Sequence, residues 1–205
     1  MINIGVIDIG SGNFGSLNSA LKKINYHFKI CKNVKDLQGI KKIILPGMGS
    51  FPNFMKKLND QKFSKYLKEQ IKNDEKSILG ICVGFQALFQ SSSELSHTEG
   101  LGFIDGKVKI ISKDDKNIKL PHVGWNSCII KKKNLIFKNI KNNQDFYFCH
   151  SYAVNNLKGN NVVSETNYYQ QFVSAVEKKN VFGVQFHPEK SQLNGLQILK
   201  NFCEK

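Results

Sequence analysis

Three stretches of the chain carry residue types that can do chemistry together. Residues 79–89, LGICVGFQALF, set Cys82 between Gly80 and Gly84, a G-x-C-x-G pattern with SIL as the entering strand and FQALF as the departing helix. A nucleophile on such a turn is presented outward, and at a helix start the dipole and the unpaired amides favour its thiolate. Glycines suit the flanks because the backbone there is strained and side chains beside it would meet the packed strand and helix. Cys82 taken alone is equally well a buried, inert thiol. A nucleophile needs a base, and the base an orienting group. GVQFHPEKS, residues 183–191, offers His187 and Glu189, whose spacing of two puts both side chains on one side of an extended chain. A lone histidine is otherwise an ordinary structural residue. In LPGMGSF, residues 45–51, backbone amides near Gly49 can join the Val83 amide as an oxyanion hole, or the glycines serve only a turn. The chemistry these residues describe is acyl transfer through a thioester. Cys, His and Glu also bind metals, but no second histidine lies at helix-ligand spacing, so no metal site is expected.

A fourth stretch, GSGNFG from Gly10 to Gly15, matches the dinucleotide-loop pattern between a predicted strand and a predicted helix. The acidic residue that should follow about twenty positions later is missing, with Lys32 and Asn33 standing there. A tight turn between strand and helix, touching a partner, is the better reading, and no cofactor is expected.

These residues must be positioned by a scaffold, and the first half of the chain predicts one. NIGVIDI at 3–9, FKICK and KKIILPG read as strands, with SLNSALKKI and the long amphipathic stretch 51–73 as helical segments between them. Such alternation predicts an α/β fold with a mostly parallel sheet flanked by helices. From about residue 100 the texture changes to short strands, GKVKII, SCIIKK, DFYFCHSYAV, FVSAVEKK and NVFGVQF, which predict antiparallel or mixed additions. A closing helix is expected in SQLNGLQILKNFCEK, with Leu193, Leu196, Ile198, Leu199 and Phe202 mostly on one face. At 205 residues, without repeats or linkers, one domain over 1–205 is expected.

Composition narrows the classes. Apolar runs fall short of the roughly 20 residues of a membrane span, and the N-terminus lacks the features of a signal peptide, so a cytoplasmic protein is expected. Five scattered cysteines with no C-x-x-C pair argue against a disulfide framework or zinc ribbon. The net charge of +14 invites a nucleic-acid reading. Against it, all 30 basic residues are lysines spread along the chain, with no arginine for bidentate phosphate or guanine contacts. No nucleic-acid or membrane partner is expected, although a nucleotide- or nucleic-acid-binding module remains the non-enzymatic alternative.

GICVGFQ, PGMGSF and FHPEKS together resemble the triad-type, class I glutamine amidotransferases. Within them PHVGWN at 121–126, FYFCHSYAV at 146–154 and DIGSGNFGSL resemble the glutaminase subunits of imidazole glycerol phosphate synthases, in order along essentially the whole chain. The resemblance implies a three-layer fold and a Cys82, His187 and Glu189 triad that releases ammonia from glutamine. It also implies glutamine contacts at Gln86, Glu94, His150 and Ser151, with Glu94 facing the α-ammonium group. The implied partner is a TIM-barrel cyclase, in a heterodimer, which uses the ammonia to make imidazole glycerol phosphate and an aminoimidazole carboxamide ribonucleotide in histidine biosynthesis; Asn13 and Trp125 fall in segments facing it. Departures are Val83 and Phe85 where Leu and Met are more usual, Met48 in place of Val, and QSSSELSHTEG after the elbow. Paralogous subunits that supply ammonia for amidation of a bacterial surface sugar are the enzymatic alternative.

Overall fold

Short aliphatic runs make the parallel strands of the first half: β1 (Ile4–Ile7), β2 (Phe28–Cys31), β3 (Lys42–Gly47) and β4 (Ser77–Cys82). The computed structural model describes residues 3–10, 14–73, 75–111, 118–155, 157 and 159–205. Helices α1 (Phe14–Lys23), α2 (Phe51–Asp60) and α3 (Phe63–Lys72) connect the strands. Strands covered on both faces need apolar residues at nearly every position, as β1, β3 and β4 have.

The amphipathic stretch 51–73 is two helices because its apolar stripe changes phase in the middle. Lys62 adopts φ 64, which ends one helix, and each helix then buries its own set: Phe51, Phe54, Met55 and Leu58 in α2, Phe63, Leu67 and Ile71 in α3.

After β4 the expected helix through FQALF is corrected. Helix α4 spans only Val83–Gln86, and Phe89 already begins β5 (Phe89–Ser92). A run this apolar has no solvent face, so it suits a buried strand better than a surface helix. With β6 (Thr98–Glu99) and β7 (Ile104–Ile110), β5 enters a second, four-stranded sheet of order β10-β7-β5-β6.

The remaining strands are β8 (His122–Ile130), β9 (Gln144–His150), β10 (Tyr152–Val154), β11 (Val162–Tyr168), β12 (Gln170–Lys178) and β13 (Val181–Val184). The large sheet has nine strands in the order β2-β1-β3-β4-β13-β12-β11-β8-β9. Pairing is parallel from β2 to β13 and antiparallel from β13 to β9, the α/β mixture expected from the change of texture near residue 100. Strand β11 has no counterpart among the expected segments because it buries Ser164 and Thr166; the Ser164 hydroxyl pairs with that of Ser174 at 2.8 Å.

Helix α5 (Gln192–Glu204) packs on α1. Its expected face is shifted: Leu193 is 81% exposed, and the buried set is Gly195, Ile198, Leu199, Asn201, Phe202 and Cys203. Among the described residues no helix is long and apolar enough to cross a membrane.

Candidate active site

Register brings the chemistry-bearing residues together. Gly47 is the β3 partner of Cys82, and Val184 on β13 is the partner of Ile81, so residues 185–187 continue alongside Cys82. Three adjacent parallel strands therefore deliver their carboxyl ends to one place, where ligands of such sheets bind.

Cys82 has φ 54 and ψ −109, a backbone state that costs a non-glycine residue on the order of 1–3 kcal/mol. Close packing around the turn holds it there. A Cβ on Gly80 would lie 2.5 Å from the Gly84 carbonyl oxygen, and one on Gly84 would lie 1.9 Å from that of Leu45. A Cβ on Gly47 would lie 2.5 Å from the Gly84 nitrogen, so the Gly47–Gly49 loop is pressed against the start of α4. Val83 and Phe85, the unusual pair of the elbow, are both buried. The Phe85 ring fills the space that a Cβ on Gly183 would need, 2.6 Å away, and meets Phe89 edge-on at 5.1 Å. Phe85 is thus a packing choice.

His187 lies beside Cys82 in the same cavity, and its Nδ1 lies 2.8 Å from Glu189 Oε1. Nδ1–H donates to that carboxylate, which leaves Nε2 for the sulfur. Burial alone would push His187 down; the Cys82 thiolate beside it and the Glu189 carboxylate push harder the other way, up to about 10. The backbone of His187 is fixed as well: its N–H donates to the Tyr147 carbonyl at 2.8 Å, and its carbonyl accepts from the Ser191 hydroxyl at 2.6 Å. Ser191 Oγ in turn accepts from the Tyr147 N–H at 3.0 Å.

A cavity of about 230 Å³ opens over Cys82 and His187. Its lining includes Gly49, Val83, Gln86, Glu94, His150 and Ser151. All the sequence-expected substrate and oxyanion residues therefore meet in one place. Gly49 sits at φ +88 at the tip of the loop. One carboxylate oxygen of Glu94 is engaged: Oε2 accepts the Phe51 N–H, the free amide at the start of α2, at 2.8 Å.

Gln86 is more constrained than its expected role suggests. Its Nε2 donates to the Tyr152 carbonyl at 2.9 Å and to Gln185 Oε1 at 3.1 Å, so both amide hydrogens are used and only Oε1 is left for a ligand. His150 Nδ1–H donates to the same Tyr152 carbonyl at 2.9 Å. With that proton fixed, His150 Nε2 accepts from His122 Nδ1 at 3.2 Å. Burial, the adjacent His122 and His187 all push His150 down to about 3 despite its bond to Tyr152, and burial pushes His122 down to about 4. Both rings are neutral at physiological pH.

Gln185 and His122 were not singled out by the sequence reading. The signal for Gln185 was present: it alternates with Gly183 and His187 in GVQFH, so it faces the same side as His187. His122 lies in PHVGWN, away from the elbow in sequence, and only the β8–β9 pairing with His150 brings it near.

Trp125 on β8 is 48% exposed and lies edge-on to Tyr147 at 6.1 Å, whose ring centre is 6.5 Å from that of His187. Asn13 lies outside the described residues. Nearby, the Asp8 carboxylate accepts the Gly10 N–H at 2.8 Å. Among the described residues no three His, Cys, Asp or Glu side chains are grouped to hold a metal ion.

Residues 5–205 match the family model described as glutamine amidotransferase class-I. The chain is 44% identical over 200 residues to a Campylobacter jejuni subsp. jejuni serotype O:23/36 (strain 81-176) protein named imidazole glycerol phosphate synthase subunit HisH 1, with 98% of each chain covered. It is 44% identical over 201 residues to a Methanocaldococcus jannaschii protein named imidazole glycerol phosphate synthase subunit HisH, again with 98% of each covered. In fold it is similar to a crystal structure described as glutamine amidotransferase, with a TM-score of 0.77 at 17% identity over 98% of this chain and 97% of the other. A second fold neighbour is described as PurLQS from Thermotoga maritima, with a TM-score of 0.70 at 19% identity over 98% of this chain and 97% of the other.

Proposed function

The chain belongs to the class I glutamine amidotransferase family, and from that premise we propose that it is the glutaminase subunit of an imidazole glycerol phosphate synthase. The observation that carries the chemistry is the placing of Cys82 beside His187, itself hydrogen-bonded to Glu189, in a cavity lined by Gln86, Glu94, His150 and Ser151. The Cys82 thiolate attacks the side-chain amide carbon of glutamine. The tetrahedral oxyanion is received by the amides of Val83 and Gly49. His187 gives its proton to the departing nitrogen, releasing ammonia and leaving a glutamyl thioester. The neutral imidazole then takes a proton from water, the hydroxide attacks the thioester carbon, and glutamate leaves as Cys82 regains its electron pair. Glu189 keeps the ring turned and holds its positive charge. Glu94, with Oε1 still available, faces the substrate's α-ammonium group, and the backbone at His150 and Ser151 borders the other side.

Ammonia is then consumed by a partner, a TIM-barrel cyclase in a cytoplasmic heterodimer, which makes imidazole glycerol phosphate and the aminoimidazole carboxamide ribonucleotide. Trp125 and Asn13 are assigned to the docking face. A half-exposed tryptophan is the kind of residue an interface covers, and Tyr147 links it to the base. The relatives named as synthase subunits, matched over nearly the full chain, favour the histidine-pathway partner over the surface-sugar paralogue. No cofactor takes part in these steps.

Glutamine turnover by the chain alone and with its cyclase loaded with ligand tests this reading. Slow turnover alone and a large acceleration in the complex are expected, with Cys82→Ala abolishing glutamine turnover while synthesis from free ammonia persists. Equal turnover with and without the cyclase sinks the coupling, and turnover in the Cys82→Ala variant removes the nucleophile from its role.

A further inference from the structure

The Cys82 sulfur has three polar neighbours: His187, the Cys149 carbonyl at 3.8 Å and Gln185 Nε2 at 3.9 Å. The carbonyl accepts from the thiol form and repels the thiolate. Gln185 is 0% exposed and sits between the nucleophile and Gln86.

We propose that Gln185 is an additional residue of the nucleophile's site, whose carboxamide donates Nε2–H to the Cys82 sulfur and stabilises the thiolate against the Cys149 carbonyl. An amide's orientation is decided by its hydrogen-bond partners, and here a backbone group decides it. The Tyr152 carbonyl only accepts, so it must face the NH2 end of Gln86. The second hydrogen of that NH2 then meets Gln185, which must present Oε1. Gln185 is thereby left with its NH2 end toward the sulfur and cannot flip without opposing two donors. His150 Nδ1–H, on the same Tyr152 carbonyl, keeps the anchor in place.

The distance of 3.9 Å is long for a donor, and catalytic hydrogen bonds in ligand-free sites tighten when substrate arrives. A donor aimed at a buried anion counts for more than one in water, because little solvent competes for it. Gln185 adds no charge, so it assists the thiolate without drawing the proton away from His187.

This inference rests on the glutaminase reading for what the thiolate attacks, not for the thiolate itself. The test is therefore the pH dependence of Cys82 alkylation by iodoacetamide, followed by peptide mass spectrometry so that the exposed Cys149 is counted separately. The titratable groups facing the sulfur and its cavity are His187 after β13, His150 at the end of β9 and Glu94 across the opening, and all are retained. Gln185→Met keeps the side-chain length and removes the donor. The midpoint of the acid limb is expected to rise by about one pH unit, so that alkylation on the acid side slows roughly tenfold. Gln86→Met releases the clamp and is expected to give the same direction with a smaller shift, and it supplies the answer where Gln185→Met does not fold. Profiles unchanged from the parent chain in the folded variants overturn the proposal. An unchanged profile with glutamine turnover intact counts against Gln185 alone. A shifted profile with no glutamine turnover in the parent complex counts against the glutaminase reading alone.

Discussion

Stability between pH 6.5 and 5 is expected to depend mainly on the buried His122–His150 pair. His122 is stacked on Tyr168, with ring centres 3.9 Å apart and planes 18° apart, and on Phe148 at 5.0 Å, and it hands its Nδ1–H to His150. Burial holds the two rings at about 4 and about 3, whereas in the unfolded chain each titrates near 6.5. Between these values the unfolded chain binds protons that the folded one refuses, so stability is present above pH 6.5 and drains away as pH falls toward 4. Each histidine contributes a slope of about 1.4 kcal/mol per pH unit once the unfolded chain is charged, so the pair contributes about 2.7. The window is otherwise quiet. His187 is raised to about 10, so its contribution is complete below pH 6.5 and drains away only as pH climbs toward 10. Ordinary carboxylates titrate lower, near 4. Urea unfolding at half-unit steps from pH 5 to 7, on the parent chain and on His122→Phe, measures both slopes. Phenylalanine keeps the planar stack and removes one titrating group, so the slope is expected to fall by about half. The loss of the donor to His150 adds a nearly pH-independent offset of about 1 kcal/mol. Equal slopes in the two proteins refute the placement of the acid-sensitive charge in this pair.

Two further substitutions separate the scaffold from the chemistry. Gly84→Ala puts a methyl 1.9 Å from the Leu45 carbonyl oxygen, so α4 and the end of β3 must part. Glutamine turnover is expected to fall at least a hundredfold for a loss of about 1–3 kcal/mol in stability, the usual range for overpacking; turnover within twofold of the parent chain contradicts the assigned packing. Asn201→Leu removes the Nδ2 that donates to the Ile136 carbonyl at 2.9 Å and the Lys138 carbonyl at 2.7 Å, pinning that loop to α5. Leaving the buried Ile136 carbonyl unpaired, with the partly buried Lys138 carbonyl beside it, is expected to cost about 1–3 kcal/mol in denaturant unfolding while turnover per folded molecule is unchanged.

Cys82, His187 and Glu189 could be singled out because their signals are local in sequence. G-x-C-x-G and H-x-E each describe a piece of backbone whose geometry follows from three to five residues, and the large sheet then joins the two pieces by pairing β4 with β13. Strand alternation in the first half was legible for the same reason, since buried parallel strands read as aliphatic runs. What stayed hidden depended on contacts distant in sequence. Strand β11 hides because Ser164 and Thr166 are satisfied by neighbouring strands rather than by apolar packing. FQALF turns into β5 because a second sheet receives it, and nothing within the segment announces that sheet. Leu193 reads as core by spacing and is solvent-facing because Gly195 sits against the Pro188 carbonyl and sets the rotation of α5.

The departures Val83, Phe85 and Met48 bear differently on partner choice once each is located. Val83 and Phe85 are buried, and Phe85 packs against Gly183 and Phe89, so the ring is matched to this chain's own interior and meets no second protein. Met48 is 43% exposed at the mouth of the cavity, in the loop that carries Gly49. A side chain there is within reach of whatever covers the opening, and it sits one residue from an amide assigned to the oxyanion. Variation at Met48 therefore changes the surface at the cavity opening, while variation at Phe85 changes the packing of the elbow beneath Cys82. Of these three positions Met48 stands at the opening of the cavity, and Phe85 is packed into the elbow beneath Cys82, so only the first is placed to meet what enters or covers the site.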